Sequence, residues 1–219
     1  QVFSILLYYL EINRVYKRPL YYTYKEDYMA KLYFRYGAMN AGKSTALLQV
    51  KHNYEERGMS TLLVKPAIDT KGANKVVSRI GINASVDILL DKTDVIMTKV
   101  PLQKPNAIIV DEAQFLTAQQ VDELYLISKI YDISVLCYGL RTDFRTNGFE
   151  GSTRLLEIAD DIEELKTICA CGKKATFNIR KMNGIPIFDG EQVLIDGTDK
   201  IEYEAVCGKC LIKQKGRVR

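Results

Sequence analysis

The sequence contains only one histidine, His52, and no apolar run as long as the roughly 18 residues that a membrane-spanning helix requires. A lone histidine excludes a metal or acid–base site built from paired imidazoles, so we interpret His52 as a surface or packing residue. The Asn-Lys-x-Asp motif that reads guanine in GTPases is also absent. The 31 basic and 27 acidic residues are interspersed, and the net charge of +4 shows no basic face of the kind an obligate nucleic-acid binder carries.

Residues 1–28 begin with an apolar-aromatic stretch and then carry many tyrosines. They lack a basic segment ahead of the apolar part and a small-residue cleavage site, which argues against a signal peptide. The sequence from Met29 onward has the character of a natural start. We therefore interpret residues 1–28 as an N-terminal extension outside the core, derived from upstream translation or attached at the periphery. A helix on a membrane surface is the alternative.

Short apolar strands alternate with helices up to residue 138. The pattern predicts strands at residues 32–36, 61–65, 107–110 and 133–138, and helices at residues 44–57 and 117–130. Thr117 and Gln120 form a capping box at the start of the second helix. This alternation predicts a parallel sheet covered by helices on both faces. After residue 165 the turn signals Asn183-Gly184 and Asp189-Gly190 indicate hairpins instead.

A phosphate-binding loop is predicted at residues 37–44, where GAMNAGKS matches the pattern G-x-x-x-x-G-K-[ST]. Its glycines let consecutive N–H groups point at phosphate oxygens, and the following helix presents its positive end to the same oxygens. Lys43 is expected to reach the β- and γ-phosphates, and the Ser44 hydroxyl to bind Mg²⁺. A chance match is the alternative, but a strand precedes the loop and a helix follows it. The predicted ATP site comprises Gly37, Ala38, Met39, Asn40, Ala41, Gly42, Lys43, Ser44 and Thr45.

Two acidic residues, Asp111 and Glu112, directly follow the apolar run 107–110. Asp111 is expected to hold Mg²⁺ through water, and Glu112 to accept a proton from a nucleophile that attacks the γ-phosphate. A solvated pair of carboxylates at a strand end is the alternative interpretation.

Four of the five cysteines form two close pairs, Cys169-x-Cys171 and Cys207-x-x-Cys210. Pairs this close, without a secretory signal, favour a metal over disulfides. Four thiolates suit a tetrahedral, structural Zn²⁺, which would contribute to the folding of the short segment between them. Reduced free cysteines are the alternative. Cys137 lies in an apolar strand and is expected to be a core residue.

The predicted fold is therefore α/β: a parallel sheet of the P-loop NTPase type with helices on both faces, plus a small zinc-ribbon-like domain. The predicted boundaries are residues 1–28 for the extension, 29–166 for the P-loop domain, 167–214 for the zinc-binding domain and 215–219 for a tail.

Several segments together resemble the zinc-containing thymidine kinases of bacteria and animal cytosol. Besides the P-loop they are Val77-Ser-Arg-Ile-Gly81, Val110-Asp-Glu-Ala-Gln-Phe-Leu116, Cys137-Tyr-Gly-Leu-Arg-Thr-Asp-Phe-Arg145 and Leu165-Lys-Thr-Ile-Cys-Ala-Cys-Gly-Lys-Lys-Ala175. The resemblance implies transfer of the ATP γ-phosphate to the 5′-hydroxyl of thymidine or deoxyuridine, giving dTMP for DNA synthesis by deoxyribonucleoside salvage. It also implies a homotetramer in the cytoplasm.

The resemblance further implies roles for individual residues. Glu112 would be the general base, and Gln114 joins Asp111 at the ATP and Mg²⁺ site. The predicted substrate residues are Arg79 and Arg180 near the transferred phosphate, Met39, Leu140 and Tyr203 around the thymine ring, Phe144 and Phe149 in the same pocket, and Asn178 near the thymine methyl group. A lasso loop at about residues 181–206 would close over the base, with backbone contacts from Ile195 and Gly197. Core packing of the two phenylalanines and a surface position for Arg79 are the alternatives.

Two departures from the family pattern lie near the third cysteine. Asp196 replaces a glycine, and two additional residues precede Tyr203, so Ile201 is an alternative ring contact.

Two other functions remain open at this point. One is a P-loop ATPase whose zinc module acts on nucleic acid, although the sequence has no basic-aromatic stripe. The other is a non-catalytic zinc-ribbon interaction protein, which would leave the P-loop and Glu112 without a use.

Overall fold

A computed structural model of the chain describes residues 30–69, 74–100, 104–192 and 201–216. The predicted extension at residues 1–28 lies outside these ranges, as do Ile195 and Gly197.

The described residues form these strands in chain order: β1 (Leu32–Tyr36), β2 (Thr61–Pro66), β3 (Lys75–Val77), β4 (Asn83–Ser85), β5 (Ile88–Leu90), β6 (Ala107–Val110), β7 (Ser134–Gly139), β8 (Asp161–Glu164), β9 (Thr167–Ile168), β10 (Lys174–Ala175), β11 (Phe177–Met182), β12 (Ile185–Ile187) and β13 (Ile201–Val206). The helices are α1 (Lys43–Glu55), α2 (Ile96–Lys99), α3 (Ala118–Tyr131), α4 (Glu150–Ile158) and α5 (Gly208–Lys215), with a 3₁₀ turn at Ala113–Phe115. No helix within the described ranges is long and apolar enough to cross a membrane.

The main sheet has the strand order β5-β2-β6-β7-β1-β8, and its neighbouring strands pair in parallel. Successive side chains of a strand point to opposite faces, so each central strand contributes to two apolar clusters. Ile108 packs with Leu124 of α3 on one face, whereas Ile109 packs with Leu47 of α1 on the other. The sheet is thus covered on both faces, and the predicted fold class is confirmed.

The predicted elements agree closely with the observed ones. Strands β1 and β6 have the predicted bounds, and the other predicted strands differ by one residue at one or both ends. Thr117 accepts the backbone N–H of Gln120, whose side chain in turn accepts the N–H of Thr117, so the capping box is confirmed. Helix α1 ends earlier than predicted, at Glu55.

The cysteine-containing region forms a small antiparallel sheet, β12-β11-β13, flanked by the β9–β10 hairpin and by α5. Asn183 and Gly184 join β11 to β12 with positive φ angles of 51° and 82°, as the predicted two-residue hairpin turn requires. We call β9 to β13 with α5 the cysteine module. Its apolar cluster contains Ile179, Val206 and, from the P-loop, Ala38. The division at residue 166 stays a prediction.

Candidate active site

The candidate site lies at one edge of the parallel sheet, where β1, β6 and β7 end. The P-loop follows β1, the Asp111–Glu112 pair follows β6, and Leu140 follows β7. Because these strands run parallel, their carboxyl ends meet at the same edge, which is the usual ligand-binding edge of an open α/β sheet. The topology therefore brings together three segments that are far apart in the sequence.

The P-loop leads directly into α1. Gly42 has a φ of 77°, a left-handed conformation that glycine adopts without steric cost, and the N–H of Ala46 donates to its carbonyl over 2.9 Å. Helix α1 then begins at Lys43, so its positive N-terminal end faces the loop. The Lys43 ammonium donates to the carbonyls of Gly37 at 3.2 Å and Ala38 at 3.0 Å. This arrangement is that of an anion-binding loop.

A glycine is required at position 37, where the P-loop passes Leu165, just before the cysteine module. A Cβ atom at position 37 would lie 2.5 Å from the carbonyl oxygen of Leu165 and 2.8 Å from the Cβ of Ala41. The first of these contacts is with backbone, which cannot rotate away. The N–H of Leu165 also donates to the carbonyl of Tyr36 over 2.7 Å. The start of the P-loop is thus held against Leu165, two residues before the cysteine module begins.

Asp111 is buried beside the start of α1. One of its carboxylate oxygens lies 3.4 Å from the Ser44 hydroxyl, and the other accepts the N–H of Glu112 over 3.0 Å. Burial, followed by the nearby charge of Glu112, raises the pKa of Asp111 to about 7. A divalent cation would offset both effects. The hydroxyl and carboxylate are the hard oxygen donors that Mg²⁺ prefers, so these residues fit the ion that the fold implies.

Glu112 is half-buried and has a φ of 50°, a backbone conformation that is uncommon for any residue except glycine. Its carboxylate accepts the side-chain N–H of Gln114 over 2.5 Å. The side-chain oxygen of Gln114 accepts the backbone N–H of Leu140 over 3.0 Å. Gln114 therefore fixes the Glu112 carboxylate relative to the segment after β7. Direct contact of Gln114 with ATP or Mg²⁺ stays a prediction.

A cavity of about 290 Å³ opens above these residues. Its lining includes Met39, Lys43, Ser44, Arg79, Glu112 and Leu140. Arg79 is exposed on the turn between β3 and β4. Residues predicted for the phosphates, for the proton transfer and for the base thus border a single space.

A second group of predicted substrate residues surrounds Arg180, which is fully buried. Its guanidinium donates to the Tyr203 hydroxyl at 2.9 Å and to the carbonyls of Glu191 at 2.8 Å and Gln192 at 2.9 Å. It also lies over the ring of Phe144. Arg180 therefore connects residues 191–192 of the predicted lasso loop to two predicted pocket residues. Its contact with the transferred phosphate stays a prediction.

The two predicted aromatic residues are buried in the segment after β7. Phe144 is 2% exposed and Phe149 is 5% exposed, and Phe149 meets Phe115 edge-on with ring centres 5.7 Å apart. Both side chains pack in the protein interior, as the core-packing alternative holds. Their contact with the base stays a prediction.

Asp143 was not singled out from the sequence, although it lies within the Gly-Leu-x-x-Asp-Phe-Arg segment. Its buried carboxylate accepts the backbone N–H groups of Arg145 and Asn147 at 2.9 and 2.8 Å, and the Gln192 side chain at 3.2 Å. Asp143 thus ties the turn that carries Phe144 to Gln192 of the predicted lasso loop. The signal that could have found it is an acidic residue beside two aromatic ones in a short loop.

The four paired cysteines converge in the cysteine module. The sulfur atoms of Cys169, Cys171, Cys207 and Cys210 all lie within 4.8 Å of one another, and those of Cys171 and Cys207 are 3.6 Å apart. Tetrahedral Zn²⁺ with bonds of about 2.3 Å places its sulfur ligands about 3.8 Å apart, so the donor set fits this ion. Backbone N–H groups of Cys171 and Cys207 lower the pKa of Cys169 to about 7, whereas hydrogen bonds with the neighbouring thiols raise the pKa of Cys210 to about 12. Cys137 is fully buried in β7, as expected for a core residue.

The comparisons with known proteins agree with this geometry. The family model for thymidine kinase matches residues 30–211. The thymidine kinase of Rhodopirellula baltica is 51% identical over an alignment of 185 residues, which covers 82% of this chain and 86% of that protein. The thymidine kinases of Mannheimia succiniciproducens and Legionella pneumophila are 50% and 52% identical, over 82% of this chain and 93% and 88% of theirs.

Proposed function

The chain belongs to the thymidine kinase family, and we propose from this membership how its site transfers the γ-phosphate of ATP to the 5′-hydroxyl of thymidine. Thymidine phosphorylation is a salvage reaction, and the family match disfavours the alternative of an ATPase that acts on nucleic acid. The observation that carries the mechanism is a single cavity, whose lining includes the phosphate-loop residues Lys43 and Ser44, the predicted base Glu112, and the predicted nucleoside contacts Met39 and Leu140.

In this mechanism, Glu112 is the general base. As the 5′-oxygen of thymidine bonds to the γ-phosphorus, its proton passes to the Glu112 carboxylate, and the bond from the γ-phosphorus to the bridging oxygen of ADP breaks. Gln114 holds the carboxylate toward Leu140, so the base is oriented before the nucleoside arrives. Preorganisation of this kind lowers the barrier because the group does not need to move during the reaction.

The P-loop binds the triphosphate of ATP. Its backbone N–H groups and the N-terminal end of α1 bind the phosphate oxygens, and Lys43 contributes its positive charge. Ser44 and Asp111 would hold Mg²⁺, which supplies charge neutralisation at the phosphates when bound. Arg79 borders the same cavity, which supports its predicted contact with the transferred group.

The nucleoside pocket uses the residues around Met39 and Leu140, together with Phe144, Phe149 and Tyr203. The edge of a uracil-type base offers two carbonyl acceptors and one N–H donor, a pattern that backbone groups of the lasso loop can match. The same edge occurs in deoxyuridine, so we expect this nucleoside to be phosphorylated as well. The contacts that Arg180 makes with Tyr203, Glu191 and Gln192 support a loop that is held over the pocket.

Zn²⁺ is the proposed metal of the four cysteines. Four thiolates leave no open coordination position, so its role is to stabilise the cysteine module.

The family resemblance also supports a cytoplasmic homotetramer, which sedimentation velocity of the purified protein would test directly against a monomer or a dimer.

Transfer of labelled phosphate from [γ-³²P]ATP tests the proposed function. We expect label on thymidine monophosphate and on deoxyuridine monophosphate, and none when the acceptor is 5′-deoxythymidine, which lacks the reacting hydroxyl. Label that appears only as free phosphate and increases with added DNA would instead support the ATPase alternative.

A further inference from the structure

The cysteine module contacts the P-loop as well as the base pocket. The side-chain oxygen of Asn178, on β11, accepts the backbone N–H of Met39 over 2.7 Å. Asn178 is buried, being 4% exposed, so water does not compete strongly for this bond. Met39 is the third residue of the P-loop. Asn178, which the family resemblance places near the thymine methyl group, therefore bonds to the backbone of the P-loop.

Neighbouring contacts hold the same part of the loop. Ala38 is 7% exposed and packs in the apolar cluster of the module, with Ile179 and Val206. The Thr167 hydroxyl lies 3.4 Å from the carbonyl of Asn40, a long contact that adds little by itself. Three consecutive P-loop residues thus meet the module, and the bond from Met39 to Asn178 is the shortest polar link among them.

Strand β11 makes this connection because of its side-chain alternation. Residues 178 and 180 lie two apart, so their side chains project from the same face of the strand. Asn178 bonds the P-loop, whereas Arg180 lies over Phe144 in the predicted base pocket. One strand face thus contacts the phosphate side and the base side of the site.

We propose that Asn178 is a positioning residue for the phosphate loop, so that nucleotide binding depends on the cysteine module. This inference rests on the proposed function for the identity of the nucleotide. P-loop affinity requires several N–H groups that point at the phosphates together, and the Asn178 oxygen holds the loop in one conformation before ATP binds. Loss of that acceptor leaves the Met39 N–H without its partner and lets the loop sample other conformations.

The test compares Asn178→Leu, which keeps the approximate size and removes the acceptor, with Asn178→Thr, which keeps an acceptor oxygen. We expect N178L to raise the Kd of a fluorescent ATP analogue about tenfold, and N178T to change it about threefold at most. Asn106→Leu is a control at an exposed position outside the site, because Asn106 also accepts a backbone N–H, that of Ser60 at 2.9 Å. We expect N106L to bind the analogue as the wild type does.

Three outcomes would overturn the proposal. A change in the KM of thymidine alone in N178L, with the Kd of the analogue kept, would make Asn178 only a base contact. Equal effects of N178L and N106L would indicate a general loss of fold. Should N178L not fold, hydrogen exchange at the Met39 amide in Asn178→Ala, which also removes the acceptor, tests the same bond. We expect about tenfold faster exchange than in the wild type, and equal exchange contradicts the bond. A wild type that binds the analogue but leaves thymidine unphosphorylated would refute the proposed function, while the binding comparison still decides the role of Asn178.

Discussion

The guanidinium carbon of Arg180 lies 3.8 Å from the centre of the Phe144 ring. At this distance the flat cation covers the ring face and presents its N–H groups outward in the plane. Those groups reach the Tyr203 hydroxyl and the backbone carbonyls of Glu191 and Gln192 in the predicted lasso loop. The stacked pair therefore links the Phe144 ring to residues 191–192 of the predicted lasso loop.

Replacement of Arg180 by lysine should weaken thymidine binding more than ATP binding. Lysine keeps the positive charge, but its ammonium group is not planar and cannot lie flat on the Phe144 ring. It therefore cannot stack there and also donate to the three acceptors that the guanidinium reaches. We expect the KM of thymidine to rise about tenfold or more, with the KM of ATP within about twofold of the wild type, by analogy with lost charge-assisted hydrogen bonds. Steady-state kinetics measures both constants. Arg154→Lys, on the surface of α4 beside Asp122, is the control that should leave them unchanged. A large rise in the KM of ATP alone would favour the phosphate contact instead.

Glu112→Gln should retain nucleotide binding and lose most turnover. The amide preserves the size of the side chain and an oxygen that can accept from Gln114, but it cannot take the proton of the 5′-hydroxyl. We expect kcat to fall about 10²- to 10⁴-fold, the usual contribution of a general base. Rapid-quench measurement of thymidine monophosphate, with binding of a fluorescent ATP analogue in parallel, separates the two effects. Turnover at the wild-type rate would show that Glu112 is not the base.

Asp111→Asn should stabilise the protein without nucleotide or Mg²⁺, and more so at high pH. The pKa of Asp111 is raised to about 7 in the fold, whereas an unfolded aspartate titrates near 3.9. The ionised form is therefore disfavoured in the folded state, and its cost grows between about pH 4 and pH 7 and is complete above pH 7. We expect the variant to gain about 1–3 kcal/mol at pH 8 and almost nothing at pH 4. Urea unfolding at both pH values measures this, and an equal gain at both would rule out a titration effect.

Removal of the metal should expose four cysteines and leave the fifth protected. Cys137 is fully buried, and burial raises the pKa of its thiol far above the ordinary value, so it reacts only on unfolding. We expect mass spectrometry after zinc chelation and mild alkylation to show modification of Cys169, Cys171, Cys207 and Cys210. The metal-loaded protein should show far less. Alkylation of all four at the same rate with and without the metal would contradict a zinc site.

Sequence patterns were sufficient for the features that depend on residues close in the chain. The P-loop, the Asp111–Glu112 pair and the capping box at Thr117 each require a fixed local spacing, and the structure shows the elements they predict. The cysteine pairs are two local motifs, and chemistry alone indicated that they meet.

Contacts between distant segments could not be predicted in the same way. The bond from Met39 to Asn178 joins residues 139 positions apart, and no spacing rule relates them. The same holds for the bonds from Arg180 to the carbonyls of Glu191 and Gln192, because backbone acceptors leave no trace in the sequence. The β3–β4 hairpin was also not predicted, since each of its strands has only three residues. Tertiary packing decides such features.

The close approach of Gly37 to the carbonyl of Leu165 has a consequence for recombination between related kinases. A chimaera that joins the P-loop part of one protein to the cysteine module of another must reproduce this backbone contact, because neither partner can move aside. With a crossover placed after Leu165, Gly37 and Leu165 come from the same parent protein, and their contact is kept. With a crossover between β8 and Leu165, the two residues come from different parents, whose backbones need not fit at this contact. Libraries of shuffled enzymes from this family should therefore yield more folded members with the later junction.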